Sequence, residues 1–301
     1  MIHDRLVEAG SVQLAVRDFG GERAPLVLLH GAGGNLAQMT TLARALREGF
    51  RVVTMDLRGH GRSADGDWSW DAALGDLAAV CVELALDRPA IVGDGLGGMV
   101  AALWGQRHPE SPGVVSLDGN PPPSRVEQLP GMDPEKAAAE LARLESAFDV
   151  IEASAGADIP ADELADLVER QRMAARDMGA NEKVWIEGFR RNLVHTREGR
   201  TSVRPSAWTT SQLRELIGGL DLGPVYAATT CPELVVLPTR NAPEQESFGE
   251  LYTAYRDHLV EQVRTAGRLR YLSLADASSA MVIEQPAALA SVITGFLTGE
   301  R

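Results

Sequence analysis

The hexapeptide Gly93-Asp94-Gly95-Leu96-Gly97-Gly98 follows directly on the apolar run Pro89-Ala90-Ile91-Val92. A strand that turns sharply into a helix can lift the residue at its bend into a cavity. The turn closes only when the residues two before and two after that point are small. Gly93 and Gly97 meet this demand and centre the bend on Gly95. A serine there would be a nucleophile; glycine brings no reacting atom. Centring the bend on Asp94 would put Val92 and Leu96 at the crowded positions, so Asp94 reads as a polar neighbour that caps the next helix. What survives at Gly95 is main-chain chemistry. The N–H of Leu96 opens a helix, and helix N-termini favour negative charge.

The elements that position this bend are readable on either side. Leu26-Val27-Leu28-Leu29-His30-Gly31-Ala32-Gly33-Gly34 is a buried-strand run ending in His-Gly. Val52-Val53-Thr54-Met55-Asp56 opens into Leu57-Arg58-Gly59-His60-Gly61-Arg62-Ser63, and Val114-Val115-Ser116-Leu117-Asp118 is a further strand. Apolar strands alternating with helical stretches predict a parallel sheet covered on both faces. In this order the blocks resemble the α/β-hydrolase fold superfamily: an α/β fold with a mostly parallel central sheet, flanking helices and a helical cap inserted mid-chain.

The resemblance implies a triad in the order nucleophile, acid, histidine. Gly95 stands at the nucleophile position. The acid position, after Leu234-Val235-Val236-Leu237, is Asn241, and the histidine position, ahead of Glu284-Gln285-Pro286, is Ser279. The six histidines end at His258, before that loop. Serine hydrolysis needs a hydroxyl, a base and a group that orients the base, so an ordinary acyl-enzyme route is not expected. The resemblance also implies an oxyanion hole made by the N–H groups of Leu96 and Ala32. Asp118, just past its strand, is the candidate replacement acid or base, and a loop carboxylate capping its turn is the plainer alternative. His30, Gly31, Asp94, Met99, Trp185, Phe189 and Met281 are expected around the substrate, the aromatic and methionine side chains enclosing something flat and apolar.

From a retained anion hole without a nucleophile, the expected function is a non-hydrolytic enzyme on a bulky, aromatic small molecule. Cofactor-independent oxygenation with dioxygen stands first, cyclisation or lyase chemistry next. Abundant Ala, Gly and Arg associate the chain with polyketide tailoring in antibiotic biosynthesis. The alternatives are a ligand-binding protein without catalysis and a hydrolase with a non-standard base such as Asp118. No cofactor is expected: no histidine or cysteine spacing suits a metal. Gly93, Gly95 and Gly98 fit a dinucleotide G-x-G-x-x-G, but lie deep in the chain among blocks of a different kind.

At 301 residues the chain can hold one α/β core and an insertion. A net charge of −13 argues against nucleic acid and anionic membranes as partners. Cys81 and Cys231 suit a reducing cytoplasm rather than a disulfide framework, and the segment from Met1 to Arg5 lacks a signal-peptide core. A homodimer is compatible with all of this. Pro121-Pro122-Pro123 breaks the pattern. Residues 1–120 and 223–301 are expected to form the core and 121–222 the cap. Cap helices are predicted from Asp133-Pro134, over Asp158 to Met178 and over Asn181 to Val194. Strands near 233–237 and 268–274 and a last helix from Pro286 complete the core.

Overall fold

A computed structural model of the protein describes residues 4–195, 199–266 and 269–299; Met1 to His3 and the first residue of the strand expected at 268 lie outside them. The chain opens with β1 (Asp4–Ala9) and β2 (Val12–Asp18), an antiparallel hairpin whose turn uses Gly10 at φ 61°. Then follow β3 (Pro25–Leu29), α1 (Thr40–Leu46), β4 (Arg51–Met55), α2 (Trp70–Glu83), β5 (Ala90–Asp94), α3 (Leu96–Arg107) and β6 (Val114–Leu117). After an insertion the core resumes with β10 (Glu233–Pro238), α9 (Gly249–Thr265), β11 (Arg270–Leu274), α10 (Met281–Glu284) and α11 (Pro286–Thr298).

The strands form an eight-stranded sheet in the order β1-β2-β4-β3-β5-β6-β10-β11, parallel from β4 onward. Alternate residues of a strand point to opposite faces. Accordingly Val27, Leu29, Val53 and Met55 join one hydrophobic cluster, while Leu26, Leu28 and Val52 join the other. Leu77, Val100, Leu103 and Leu259, from α2, α3 and α9, cover the first face. Leu42, Leu46, Leu289 and Ile293, from α1 and α11, cover the second. This two-sided burial is why the parallel strands read as continuous apolar runs.

The insertion holds α4 (Pro134–Ser154), β7 (Asp158–Ile159), α5 (Leu164–Asp177), α6 (Glu182–Arg191), β8 (Leu193–His195), β9 (Thr201–Val203) and α7 (Ala207–Gly218), and α8 (Leu222–Ala228), packed on α3, leads back into the core. Asp133 caps α4 by accepting from the Lys136 N–H at 3.0 Å, and Pro134 takes the first turn, where its missing N–H costs nothing. The three-stranded sheet β7-β9-β8 was not expected. It shortens two expected helices, since residues 158–159 and 193–195 are strand.

Polar contacts fasten the insertion to the core. Arg191 at the end of α6 pairs with the buried Asp56 at 2.7 Å and also with Asp4. Asn192 donates to the Gly33 carbonyl at 2.9 Å, and Asn35 donates to the Gly188 carbonyl at 2.8 Å. The loop after β3 is therefore held from above by the insertion.

Candidate active site

Gly95 sits between β5 and α3 at φ 49° and ψ −112°, a conformation that favours glycine. Its glycine neighbours are fixed by space. A Cβ on Gly93 would lie 1.9 Å from the Gly97 carbonyl oxygen, and one on Gly97 would lie 2.6 Å from the Leu29 carbonyl oxygen. A Cβ on Gly95 would meet nothing closer than the Gly31 Cα at 3.6 Å. The bend thus has room for a side chain at the one position facing the cavity.

The N–H of Leu96, at the start of α3, and that of Ala32, in the loop after β3, find no acceptor among the described residues. Neighbouring amides are engaged: Gly97 donates to the His30 carbonyl at 3.2 Å and Gly34 to the Gly31 carbonyl at 3.0 Å. His30 was expected to touch substrate. Instead it is buried beneath the loop, where Nε2 accepts from the Leu57 N–H at 3.0 Å and Nδ1 lies 2.7 Å from the Gly31 carbonyl. That pairing leaves the proton on Nδ1, donating to Gly31. Burial drives the His30 pKa down to about 4, so the ring is neutral and positions the loop. His60 is likewise buried, 5.1 Å from His30 between ring centres.

Ala32, Gly33, Gly95, Leu96, Met99 and Asp118 converge at one end of a cavity of about 1200 Å³. That volume exceeds the roughly 300–1,000 Å³ of typical small-molecule sites. Asp118 stands one residue past β6 at φ 47°, an uncommon conformation for a residue with a side chain. Its backbone is tied on both sides, its N–H donating to the Val236 carbonyl at 2.9 Å and its carbonyl accepting from the Asn120 N–H at 3.0 Å. The carboxyl receives no donor from the described residues. Part of it faces the cavity while protein surrounds the rest, and this desolvation raises its pKa to about 7 against the pull of Arg256. Burial and the charge of Asp118 push Asp94 up to about 8. Asp94 does not line the cavity; its carboxylate packs over Gly31, 3.1 Å from where a Cβ would stand.

The remaining expected residues are scattered. Asn241 follows β10 outside the lining; its side-chain oxygen accepts from Arg256 and its nitrogen donates to the Gly249 carbonyl at 3.4 Å. Ser279 is half-buried on the loop after β11, also outside the lining. Met281 is fully buried in the second core cluster, because the helix it begins packs under the sheet. Gly31 carries the loop but does not reach the cavity. Trp185 and Phe189 are not in the lining; the Trp185 indole donates to Gln171 at 2.9 Å, joining α6 to α5. The aromatic enclosure expected from them is corrected: neither side chain lines the cavity. Leu141, Leu144 and Phe148 of α4, Leu213 and Ile217 of α7, and Tyr252, Tyr255 and Leu259 of α9 wall the cavity instead. Tyr252, Tyr255, Arg256 and Leu259 recur at helical spacing, the signal by which this wall could have been found. No group of acidic, histidine and cysteine side chains suited to a metal ion occurs among the described residues. Nor is any described helix long and apolar enough to cross a membrane.

A sequence profile described as alpha/beta hydrolase fold matches residues 24–171. The sn-1-specific diacylglycerol lipase ABHD11 of Xenopus laevis is 34% identical over 104 residues, 33% of each chain. Pimeloyl-[acyl-carrier protein] methyl ester esterase of Yersinia enterocolitica is 32% identical over 112 residues, 36% of this chain and 42% of the relative. The bifunctional esterase/perhydrolase DCH of Acinetobacter calcoaceticus is 36% identical over 107 residues, 34% of this chain and 38% of the relative. The matches thus span from about a third to two fifths of these relatives. Among solved structures, E-2-(acetamidomethylene)succinate hydrolase superposes with a TM-score of 0.72 at 20% identity, covering 99% of this chain and 100% of that one. A thioesterase domain from the curacin biosynthetic pathway gives 0.69 at 19% identity, covering 97% and 99%. These relatives carry the names of hydrolases. They overturn the expectation of a non-hydrolytic oxygenase, cyclase or lyase, and with it dioxygen as a partner, oxidoreductase chemistry and polyketide tailoring. Sheet order, bend and full-length likeness agree: this chain has the α/β-hydrolase fold.

Proposed function

We propose that the protein is a hydrolase of carboxylic esters in which Asp118 activates water directly, without an acyl-enzyme. The observation that carries this reading is the Asp118 carboxyl, without a protein donor among the described residues, at the same cavity end as Gly95 and Leu96. Its backbone strain points the same way, since strained residues concentrate at functional sites. The hydrolase names of the relatives support the reaction class.

In the proposed step, Asp118 removes a proton from a water held in the space that a nucleophile would occupy at Gly95. The water oxygen bonds to the ester carbonyl carbon, and the carbonyl electron pair moves onto oxygen. The N–H groups of Leu96 and Ala32 stabilise that oxyanion, and α3 adds the positive end of its dipole. Collapse breaks the bond to the alcohol oxygen, which takes the proton back from Asp118. The products are a carboxylic acid and an alcohol. A base whose pKa is near 7 is matched to neutral conditions. The walls contributed by α4, α7 and α9 suit an apolar acyl group.

The test is steady-state hydrolysis of nitrophenyl and methyl esters of medium-chain acids. Turnover by the wild type that falls about 10²–10⁴-fold in Asp118→Asn, the usual range for a general base, supports the reading. Ester binding without turnover would replace it with a ligand-binding protein.

A further inference from the structure

Three arginines line the cavity: Arg204, Arg214 and Arg256. Two are neutralised by carboxylates. Arg204 pairs with Asp65. Arg214 pairs with Glu145, with Asp149 at 2.7 Å and with Glu152 at 2.8 Å. Arg256 makes no ion pair among the described residues. Its guanidinium donates to the side-chain oxygen of Asn241 and to the Thr253 hydroxyl at 3.1 Å, both uncharged acceptors. These bonds hold the fork in place and leave further N–H donors without a protein acceptor among the described residues.

Such an arrangement is costly for the folded chain alone. A half-buried cation loses hydration, and an apolar wall returns little of it. Asn241 contributes here as an aligner rather than a counter-charge, because an aspartate at its position would neutralise the fork. Tyr255, next to Arg256 on α9, is committed elsewhere, its hydroxyl donating to the Pro121 carbonyl at 2.6 Å. Asp118, and Asp257 on its own helix, act on Arg256 through their charge, with neither forming an ion pair with it. A planar fork with donors to spare matches a carboxylate, which it can grip through two parallel hydrogen bonds.

We propose that Arg256 is a binding site for a carboxylate on the substrate, remote from the bond that is cut. The substrate class is then an acidic ester: an apolar acyl chain with its scissile ester at the amides of Leu96 and Ala32 and a free carboxylate at Arg256. The proposal rests on the hydrolytic reading for which group is the ester, but the anion site itself is testable by binding alone.

The experiment is calorimetric titration of the whole chain with suberic acid monoamide and with suberamide, amides that differ by one carboxylate and stand in for the ester. The wild type is expected to bind the monoamide about tenfold more tightly than the diamide, as one charge-assisted contact provides. Added salt should weaken that preference, Arg256→Gln should abolish it, and Arg256→Lys should restore part of it. Equal affinities in the wild type, no binding of the monoamide, or a preference that survives in Arg256→Gln would each overturn the proposal. If Arg256→Gln does not fold, as judged by its thermal transition, an undiminished preference in Arg256→Lys together with indifference to salt would do the same. An Arg256 that merely tuned Asp118 would instead leave the preference intact and shift the pH profile of ester hydrolysis. Loss of esterase activity with the carboxylate preference intact would count against the proposed reaction and not against this site.

Discussion

Asp56 and Asp118 each stand one residue past the carboxyl end of a parallel strand, β4 and β6. Their surroundings divide them. Asp56 accepts from the Leu36 N–H at 2.7 Å, the Arg62 N–H at 2.8 Å and Arg191 Nε at 2.7 Å, and has no exposed surface. Asp118 has its backbone anchored and its carboxyl open to the cavity. One carboxylate spends its acceptor capacity joining core to insertion, and the other accepts from no described residue. Burial raises the pKa of both; Arg191 and two amides oppose this at Asp56, and only the charge of Arg256 at Asp118. Position after a strand alone does not set which partners a carboxyl finds.

Substitutions that exchange the two roles test this contrast. Asp56→Ala should be the most damaging to the fold, leaving the buried Arg191 with Asp4 as its remaining carboxylate partner and two amides unpaired. The expected loss is about 3–5 kcal/mol in urea unfolding; less than about 1 kcal/mol would mean the contrast with Asp118 is overstated. Gly95→Ser should cost about 1–3 kcal/mol for holding a side chain at positive φ, and should create no serine esterase, since no described histidine reaches the cavity. Mass-spectrometric detection of an acyl group that forms and turns over on the hydroxyl introduced by Gly95→Ser would refute that expectation.

Glu233 supplies a third case, a carboxyl in a closed core. It is 1% exposed, and neither of its oxygens has a hydrogen-bond partner. Burial lifts its pKa to about 8, only partly offset by the nearby Thr229. Because the folded pKa lies above the unfolded one, the folded state holds the proton longer. Stability contributed by the neutral form therefore falls as pH rises from about 4.5 through about 8. Glu233→Gln should flatten the pH dependence of unfolding by up to about 1.4 kcal/mol per pH unit in that window. It should leave ester hydrolysis unchanged. A change in hydrolysis with unaltered stability would show that a buried carboxyl outside the cavity matters to the chemistry.

What could be read before the fold was known follows the same physical division. The glycines of the bend are written in residue type, because a Cβ at Gly93 or Gly97 has nowhere to go. The parallel strands announced themselves because both faces are buried. The small sheet of the insertion escaped because strands of two or three residues show no period. Trp185 and Phe189 share a helix face, but spacing cannot say whether that face meets a cavity or another helix. The cavity wall depends on where α4, α7 and α9 meet, a tertiary fact. The reaction class is not legible at Gly95, because the residue at the bend shows which nucleophile is missing and not which group could stand in for it.

The central claim is that Asp118 is the base that activates water, and the pH dependence of kcat/KM tests it most directly. For a medium-chain nitrophenyl ester, the wild type should rise to a plateau through an apparent pKa of about 7, where desolvation places Asp118. Asp118→Asn, folded by its thermal transition, should lack that limb and fall to background hydrolysis. A variant that kept both the limb and the rate would contradict the account.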